Sequence, residues 1–129
     1  MSGGRRDRGP AGRASDLGEA RAEYAGLLRR SLAEVTRVLG ALPGVRRVSL
    51  VGSHARGRSD LCTDLDILVV METDKAFVER LEMLYPLLAV PVDLDLICYT
   101  PEEFEEMKGR PFLKALLRDE VVLHEKQRA

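Results

Sequence analysis

The sequence predicts a single domain of the α+β class, in which helices and strands follow one another along the chain. Its 129 residues are enough for one domain and too few for two. Hydrophobic residues make up 45% of the chain and charged residues 32%, which is typical of a soluble globular protein. Apolar residues recur at helical spacing in some stretches and form short β-type runs in others, and this alternation predicts the elements described below.

The N-terminal part predicts a tail followed by a long helix. Residues 1–14 are rich in Gly, Arg and Pro and have almost no apolar side chains, so we predict a disordered tail before a domain at 15–126. Ser15 or Asp16 can cap a helix that runs to about Leu39. Its core-facing stripe has apolar residues three or four apart: Tyr24, Leu28, Leu32, Val35 and Leu39.

Two strands joined by a polar loop come next. The first strand, Val45 to Val51, ends abruptly at a Gly-Ser pair, and ten residues then separate that pair from Asp64. The second strand runs from Thr63 to Met71, and its continuous apolar run suits a central strand buried on both faces. Because alternate strand residues share a face, Asp64 and Asp66 are expected to point the same way.

The paired aspartates beside a Gly-Ser turn indicate a metal–phosphate site. Mg²⁺ prefers oxygen ligands, often one or two carboxylates together with phosphates. Gly52 lets the backbone approach a ligand closely, and the hydroxyl of Ser53 adds a donor at the start of a short helical turn, where free N–H groups suit phosphate oxygens. Arg56 is either a clamp on phosphate oxygens or an ordinary solvated charge.

A second helix and a third strand follow. Thr73 is expected to cap the helix, which continues to about Leu87, with its inner side formed by Phe77, Val78, Leu81, Leu84 and Leu88. The third strand runs from Val90 to Tyr99 and carries two acids, Asp93 and Asp95, on one face. Acidic residues are depleted in strands, so this strand is either an edge that faces water or the source of a third metal-binding carboxylate.

The C-terminal part predicts two short helices and a last strand. Thr100, Pro101 and Glu103 have the spacing of a capping box, so the acids of this helix are expected to be structural. A short helix should follow from Phe112 to Arg118, and a short strand from Val121 to His124.

Charge and cysteine content restrict the class of protein. The net charge of −1 does not favour a broad nucleic-acid-binding surface, and no apolar run is long enough for a membrane span. The N-terminal arginines have no apolar stretch behind them, so no secretory signal is expected. Cys62 and Cys98 are too far apart for a Cys-x-x-Cys motif and are expected to be packing residues, which favours a reduced, cytoplasmic setting.

Together these motifs resemble the minimal nucleotidyltransferase (MNT) group of the DNA polymerase beta superfamily. The resemblance covers roughly residues 30–125 and is fairly specific, because it combines the Gly-Ser pair, the ten-residue spacing and Asp-x-Asp. The matching segments are Gly52-Ser53-His54-Ala55-Arg56-Gly57, Asp64-Leu65-Asp66, Val92-Asp93-Leu94-Asp95 and Tyr99-Thr100-Pro101-Glu102-Glu103-Phe104.

The resemblance implies a small mixed β-sheet flanked by helices, a nucleoside triphosphate substrate and two divalent metal ions, Mg²⁺ or alternatively Mn²⁺. It implies metal binding by Asp64, Asp66 and a third carboxylate, which also helps to deprotonate the attacking hydroxyl. We assign the third role to Asp95, five residues before the Thr-Pro cap, with Asp93 as the alternative. The implied phosphate-binding residues are Gly52, Ser53 and Arg56.

The implied activity is nucleotidyl transfer, with AMP from ATP passed to a partner protein. MNT proteins often pair with a small helical HEPN toxin and act as its antitoxin, so a HEPN-type partner is expected. The chain lacks Trp and has only three Phe and three Tyr, so base stacking on a nucleic-acid substrate is poorly supported. Two other functions stay open: neutralisation of a partner without catalysis, and transfer to a small molecule in a pocket shared by two copies of the chain.

Overall fold

The computed structural model describes residues 10–52, 55 and 64–126, with side chains described from residue 17 onward. The described strands form one mixed sheet with the order β3-β2-β1-β4, flanked by helices, which confirms the predicted α+β class. The elements are α1 (Pro10–Gly40), β1 (Val45–Val51), β2 (Leu65–Met71), α2 (Phe77–Leu84), a 3-10 turn (Tyr85–Leu87), β3 (Leu94–Tyr99), α3 (Pro101–Met107), α4 (Pro111–Leu117) and β4 (Val121–Glu125).

Strand β2 lies in the centre of the sheet, as its apolar run predicted. It pairs antiparallel with β1 and parallel with β3. The side chains of Ile67, Leu68 and Val69 are fully buried, which requires cover on both faces of the strand. Because β2 lies between β1 and β3, its register determines which residue of β1 and which residue of β3 lie on either side of each β2 residue.

Each face of the sheet packs against its own pair of helices. Helices α1 and α2 pack on one face, where the buried residues include Val35, Leu39, Ile67, Val69 and Leu84. Helices α3 and α4 pack on the other face, where the buried residues are Val51, Leu68, Val70, Phe104 and Leu113. The alternation of Ile67, Leu68, Val69 and Val70 between the two cores follows from the two-residue period of a strand.

Helix α1 begins earlier than the sequence indicated. It starts at Pro10, so residues 10–14, which we had assigned to a disordered tail, are helical. Proline is well tolerated in the first turn of a helix, where its missing N–H group is not needed, and Ala11 and Ala14 favour helix. Residues 1–9 lie outside the described part of the chain. Within that part, no helix combines the length and the apolar character needed to cross a membrane.

Helix α2 begins later than predicted. The hydroxyl of Thr73 accepts a hydrogen bond from the Lys75 amide at 3.1 Å, which holds these residues in a turn instead of capping a helix. Ala76 takes the N-cap position, and Glu79 Oε1 accepts from the Ala76 amide at 2.9 Å. The helix ends at Leu84, after which a separate 3-10 turn contains Pro86.

The later start corrects the predicted inner face of α2. Phe77 and Val78 were expected in the core, but they are 43% and 63% exposed. Leu84 is fully buried as predicted, and Arg80, four residues before it, also faces the core with 5% exposure. Periodicity missed Arg80 because an apolar stripe cannot reveal a charged residue that is buried with polar partners.

Strand β3 is shorter than predicted and starts at Leu94 instead of Val90. Pro91 precedes it, and a proline has no N–H group to donate to the ladder. Asp93 therefore lies just before the strand, although its carbonyl already accepts from the Leu65 amide at 3.0 Å. Strand β2 begins at Leu65, so Asp64 lies immediately before it, whereas Thr63 lies outside the described residues.

The capping box of α3 is present as predicted. Thr100 Oγ1 accepts from the Glu103 amide at 3.1 Å, and Glu103 Oε1 accepts from the Thr100 amide at 3.0 Å. The sequence did not reveal that Glu103 also binds Arg80, whose guanidinium donates to both carboxylate oxygens at 2.7 and 3.1 Å. The hydrogen bonds from Arg80 lower the pKa of Glu103.

The last two elements match their predicted bounds within one residue at each end. Strand β4 pairs antiparallel with β1, with Val121 opposite Leu50. Before it, Glu120 accepts from the hydroxyl of Ser49 and forms an ion pair with Arg47 at 2.7 Å. These contacts hold the turn that follows α4 against β1.

Replacing Glu103 with Gln should destabilise the protein in a pH-dependent way. The change removes the charge that partners the buried Arg80, and we expect a loss of about 1 kcal/mol in the free energy of unfolding at pH 7, a modest value because the Glu103 side chain is 41% exposed. Since the folded state lowers the pKa of Glu103, its stabilisation is present above the ordinary Glu pKa and is lost as the pH falls through the folded value. Urea unfolding at pH 7 and pH 3.5 measures both effects.

The matched control for this measurement is Glu106→Gln, at an exposed position on the same helix. It should change stability by less than about 0.5 kcal/mol at either pH. Equal losses for the two variants, or a loss at Glu103 that is as large at pH 3.5 as at pH 7, would contradict a role for the charged Arg80–Glu103 pair.

Candidate active site

The candidate site lies where the end of β1 meets the beginnings of β2 and β3. Asp66 is paired with Val51 on one side and with Asp95 on the other. Residues at paired positions of neighbouring strands project to the same face of a sheet, so the two aspartates share a face. It is the face that carries Val51 and Leu68 and that α3 and α4 cover further along the strands.

Gly52 provides the space that the Asp66 carboxylate occupies. Its φ angle is +81°, a backbone conformation that residues with a side chain rarely adopt. A Cβ atom at this position would overlap an Asp66 carboxylate oxygen and lie 3.2 Å from the carboxyl carbon. Glycine is therefore required here for two separate reasons, the turn that ends β1 and the close approach of Asp66.

The predicted acids have different surroundings. Asp66 is half-buried within β2, and Asp95 is exposed on the edge strand β3. Asp64 is half-buried but precedes β2, so strand alternation does not fix the direction of its side chain. Among the described residues, no three His, Cys, Asp or Glu side chains are grouped closely enough to hold a metal ion. The strand register thus places Asp66 beside Asp95, and Asp64 lies one residue before β2.

The strand register favours Asp95 over Asp93 as the partner of Asp66. Asp95 lies inside β3 directly opposite Asp66, whereas Asp93 is exposed and lies one residue before the strand. The backbone of Asp93 has a structural role, because its carbonyl accepts from the Leu65 amide. The bounds of β3 therefore put Asp95 in the strand and Asp93 before it, which supports the choice of Asp95 made from the sequence.

The donor set of this pair fits a divalent cation. Like charges directly opposite each other on neighbouring strands are destabilising, and a cation between them removes that cost. Carboxylate oxygens are also the ligands that Mg²⁺ and Mn²⁺ prefer. Asp66 and Asp95 are thus suited in chemistry and in register to hold a hard metal ion together.

Part of the predicted phosphate-binding loop is outside the described residues. Ser53 and Arg56 both lie there, as does His54. Of this loop the structure describes Gly52 and Ala55, and Ala55 packs against the core between the sheet and α1.

The cysteines do not contribute a nucleophile to the described site. Cys98 is free and fully buried, and burial raises its pKa to about 11. The thiol therefore stays protonated near neutral pH, in agreement with the packing role expected from the sequence. Cys62 lies outside the described residues.

Sequence reasoning missed one residue next to the site, Tyr85. Its hydroxyl accepts from the Leu96 amide at 2.9 Å and lies 3.4 Å from the Leu94 carbonyl, so it reaches both neighbours of Asp95. The sequence pattern offered no signal for this contact, because Tyr85 lies in a 3-10 turn after α2 and its hydroxyl bonds to backbone groups of β3, which every residue type has.

Comparison with known families identifies the domain to which these residues belong. A sequence profile described as the nucleotidyltransferase domain matches residues 32–128. The chain belongs to the nucleotidyltransferase domain family. The match includes Gly52, all four acids discussed above and every strand of the sheet, so the site lies within the part of the chain that defines the family.

Solved structures show the same fold. A candidate nucleotidyltransferase from Sulfolobus solfataricus superimposes with a TM-score of 0.54 at 21% sequence identity, over 84% of this chain and 86% of that one. At this identity the likeness concerns the fold of the nucleotidyltransferase domain alone. No curated protein shows significant sequence similarity to the chain.

Replacing Gly52 with Ala should destabilise the domain by about 1–3 kcal/mol, because the new Cβ requires both a strained backbone and displacement of the Asp66 carboxylate. Chemical denaturation measures this loss. Gly109→Ala is the matched control, since a Cβ there meets nothing within 4 Å. A stability change at Gly52 no larger than that at Gly109 would contradict the proposed packing.

Proposed function

We propose that this nucleotidyltransferase-domain protein transfers AMP from ATP to a hydroxyl group of a partner protein in a reaction that depends on a divalent metal. The observation that carries the proposal is the register of Asp66 and Asp95 on neighbouring parallel strands, beside a glycine that leaves space for the Asp66 carboxylate. Membership of the nucleotidyltransferase domain family supports the reaction class.

In this proposal Asp66 and Asp95, together with Asp64 immediately before β2, bind Mg²⁺, as two ions that Mn²⁺ can replace. Bound metal stabilises the negative charge that develops on the entering and leaving oxygens of a phosphoryl transfer. Asp66 is half-buried and is held on both sides by strand pairing, which restrains its carboxylate in one position. A restrained ligand loses little entropy when it binds.

The bond changes in the proposed reaction involve one hydroxyl and one α-phosphate. The acceptor oxygen forms a bond to the α-phosphorus, the bond from that phosphorus to the bridging oxygen breaks, and pyrophosphate leaves with the electron pair. The proton of the hydroxyl passes to Asp95, which is exposed and so can be reached by an acceptor. Gly52 lets the nucleotide approach the backbone, and Ser53 and Arg56 are proposed to bind its phosphates.

The surface beside β3 supports a protein as the acceptor. Four large apolar side chains of α2 and the 3-10 turn are 40–63% exposed: Phe77, Val78, Tyr85 and Leu87. Tyr85 contacts the backbone on both sides of Asp95 at the outer edge of β3, and the ring of Phe77 lies 6.4 Å from that of Tyr99 near the other end of the strand. Exposed apolar side chains beside a strand edge are typical of surfaces that bind other proteins.

The proposed acceptor is a tyrosine of a small helical HEPN-type protein, which the nucleotidyltransferase would inactivate as its antitoxin. The support for this choice is the similarity of the Gly-Ser and Asp-x-Asp segments to those of MNT proteins, together with the exposed apolar side chains of α2 and the following turn.

A second candidate function is neutralisation of the partner by binding alone. The observation that favours it is that the described residues contain no group of three acids able to hold a metal ion. In that case the exposed apolar residues of α2 would matter for activity, and the carboxylates would not.

Nucleotide binding can be tested without knowing the acceptor. ATP with Mg²⁺ should raise the midpoint of thermal unfolding, because a ligand that binds only the folded state stabilises it. The rise should be lost in Asp66→Asn and in Asp95→Asn and be retained in Asp93→Asn, the matched control two residues away. A rise of equal size in all four proteins would exclude Asp66 and Asp95 as metal ligands.

Transfer itself is measured with α-³²P-labelled ATP and a coexpressed HEPN-type partner. The wild-type protein should label the partner in the presence of Mg²⁺, and Asp66→Asn or Asp95→Asn should reduce the rate by at least about 100-fold, in keeping with loss of a metal ligand or a general base. Asp93→Asn should keep a rate within a few-fold of wild type. Full neutralisation of the partner by an Asp66→Asn, Asp95→Asn double variant, with no label transferred by wild type, would establish the binding-only function instead.

A further inference from the structure

We infer that Tyr85 is a positioning residue, which holds the β3 backbone so that Asp95 is placed for metal binding. This inference rests on the proposed function and adds a residue outside the family motifs to the same site. It starts from the edge position of β3, which pairs with β2 on one side and, among the described residues, with no strand on the other.

The outward-facing backbone groups of β3 alternate along the strand. The Asp93 carbonyl points toward β2, where it accepts from the Leu65 amide. By alternation, the backbone groups of Asp95 also face β2, whereas those of Leu94, Leu96 and Cys98 face outward. An edge strand held on one side only can shift more readily than a central strand.

Side chains from α2 and the following turn occupy this outer edge in place of a strand. Arg80 donates to the Cys98 carbonyl at 3.1 Å and so holds the far end of β3. Tyr85 Oη accepts from the Leu96 amide at 2.9 Å, and its distance to the Leu94 carbonyl is 3.4 Å. The tyrosine hydroxyl thus bridges the two residues that flank Asp95, on the opposite side from β2.

The consequence for the site follows from the distances that metal binding tolerates. A carboxylate that binds the same metal ion as Asp66 has to stay within a few tenths of an ångström of its position. Removal of a group that orients a metal ligand typically lowers the metal affinity 10- to 100-fold. Tyr85→Phe removes the hydroxyl and keeps the ring. Because Tyr85 is 40% exposed and the change removes a single hydroxyl group, the variant should remain folded.

The test uses the full-length protein, Mn²⁺ and α,β-methylene ATP, an analogue that cannot transfer its α-phosphate. Backbone NMR spectra follow the paramagnetic broadening of the Asp66 and Asp95 signals as Mn²⁺ is added. We expect Tyr85→Phe to need about tenfold more Mn²⁺ than wild type for half-maximal broadening. Hydrogen exchange of the Leu96 amide should also become about tenfold faster in this variant, since its hydrogen bond within the protein is lost.

Tyr99→Phe is the matched control, because it makes the same change at the end of the same strand, where the ring lies 6.4 Å from that of Phe77. It should leave the Mn²⁺ dependence and the Leu96 exchange rate unchanged. Identical Mn²⁺ titrations for wild type and Tyr85→Phe would overturn the inference while leaving the proposed function intact. Absence of Mn²⁺ broadening at the aspartates of wild type would instead overturn the proposed metal site, and with it the role of Tyr85.

Discussion

The simultaneous pairing of β2 with two strands is the constraint on which the site depends. Asp66 lies opposite Val51 in β1 and opposite Asp95 in β3. The register of β2 therefore fixes the position of Asp66 relative to both the glycine turn and Asp95. A shift of either pair by one residue would move Asp66 to the other face of the sheet or put Leu94 or Leu96 beside it. The buried apolar residues of β2 make such shifts costly, since each one would expose part of two cores. Core packing thus fixes the positions of Asp66 and Asp95 relative to each other.

The outer edge of β3 pairs with no strand in the described part of the chain, and side chains from α2 and the following turn hold the backbone there in place. Arg80 binds the Cys98 carbonyl, the Lys75 carbonyl and both carboxylate oxygens of Glu103, which joins α2, β3 and the start of α3. Tyr85 then holds the part of β3 around Asp95. A buried arginine is tolerated because its donors are matched by acceptors, of which one is charged. This arrangement also covers backbone groups that could otherwise pair with another chain.

The elements with clear periodic patterns could be read from the sequence, and those set by local polar contacts could not. The bounds of β1 and the central position of β2 follow from apolar runs, and the Thr100 capping box follows from its spacing. The start of α2 was misplaced because the Thr73 hydroxyl bonds to its own turn, and the start of β3 because Pro91 interrupts the ladder. The alternation rule correctly places Asp66 on one face but does not extend to Asp64, which lies outside the strand. Tyr85 and Arg80 act through backbone groups that are distant in sequence, which no local pattern encodes.

The two negative charges of Asp66 and Asp95 also affect the stability of the fold. Two like charges about 4 Å apart repel by about 1 kcal/mol in water and by about 4 kcal/mol at the effective dielectric near a protein surface. The exposure of Asp95 keeps this cost near the lower value, since water screens one member of the pair. The fold therefore tolerates two acids at paired positions of neighbouring strands, one of them half-buried. Acidic residues are unfavourable in strands, and departures from local preference are typical of functional sites. This departure is the physical reason why Asp66 and Asp95 are the candidates for the chemistry of the domain.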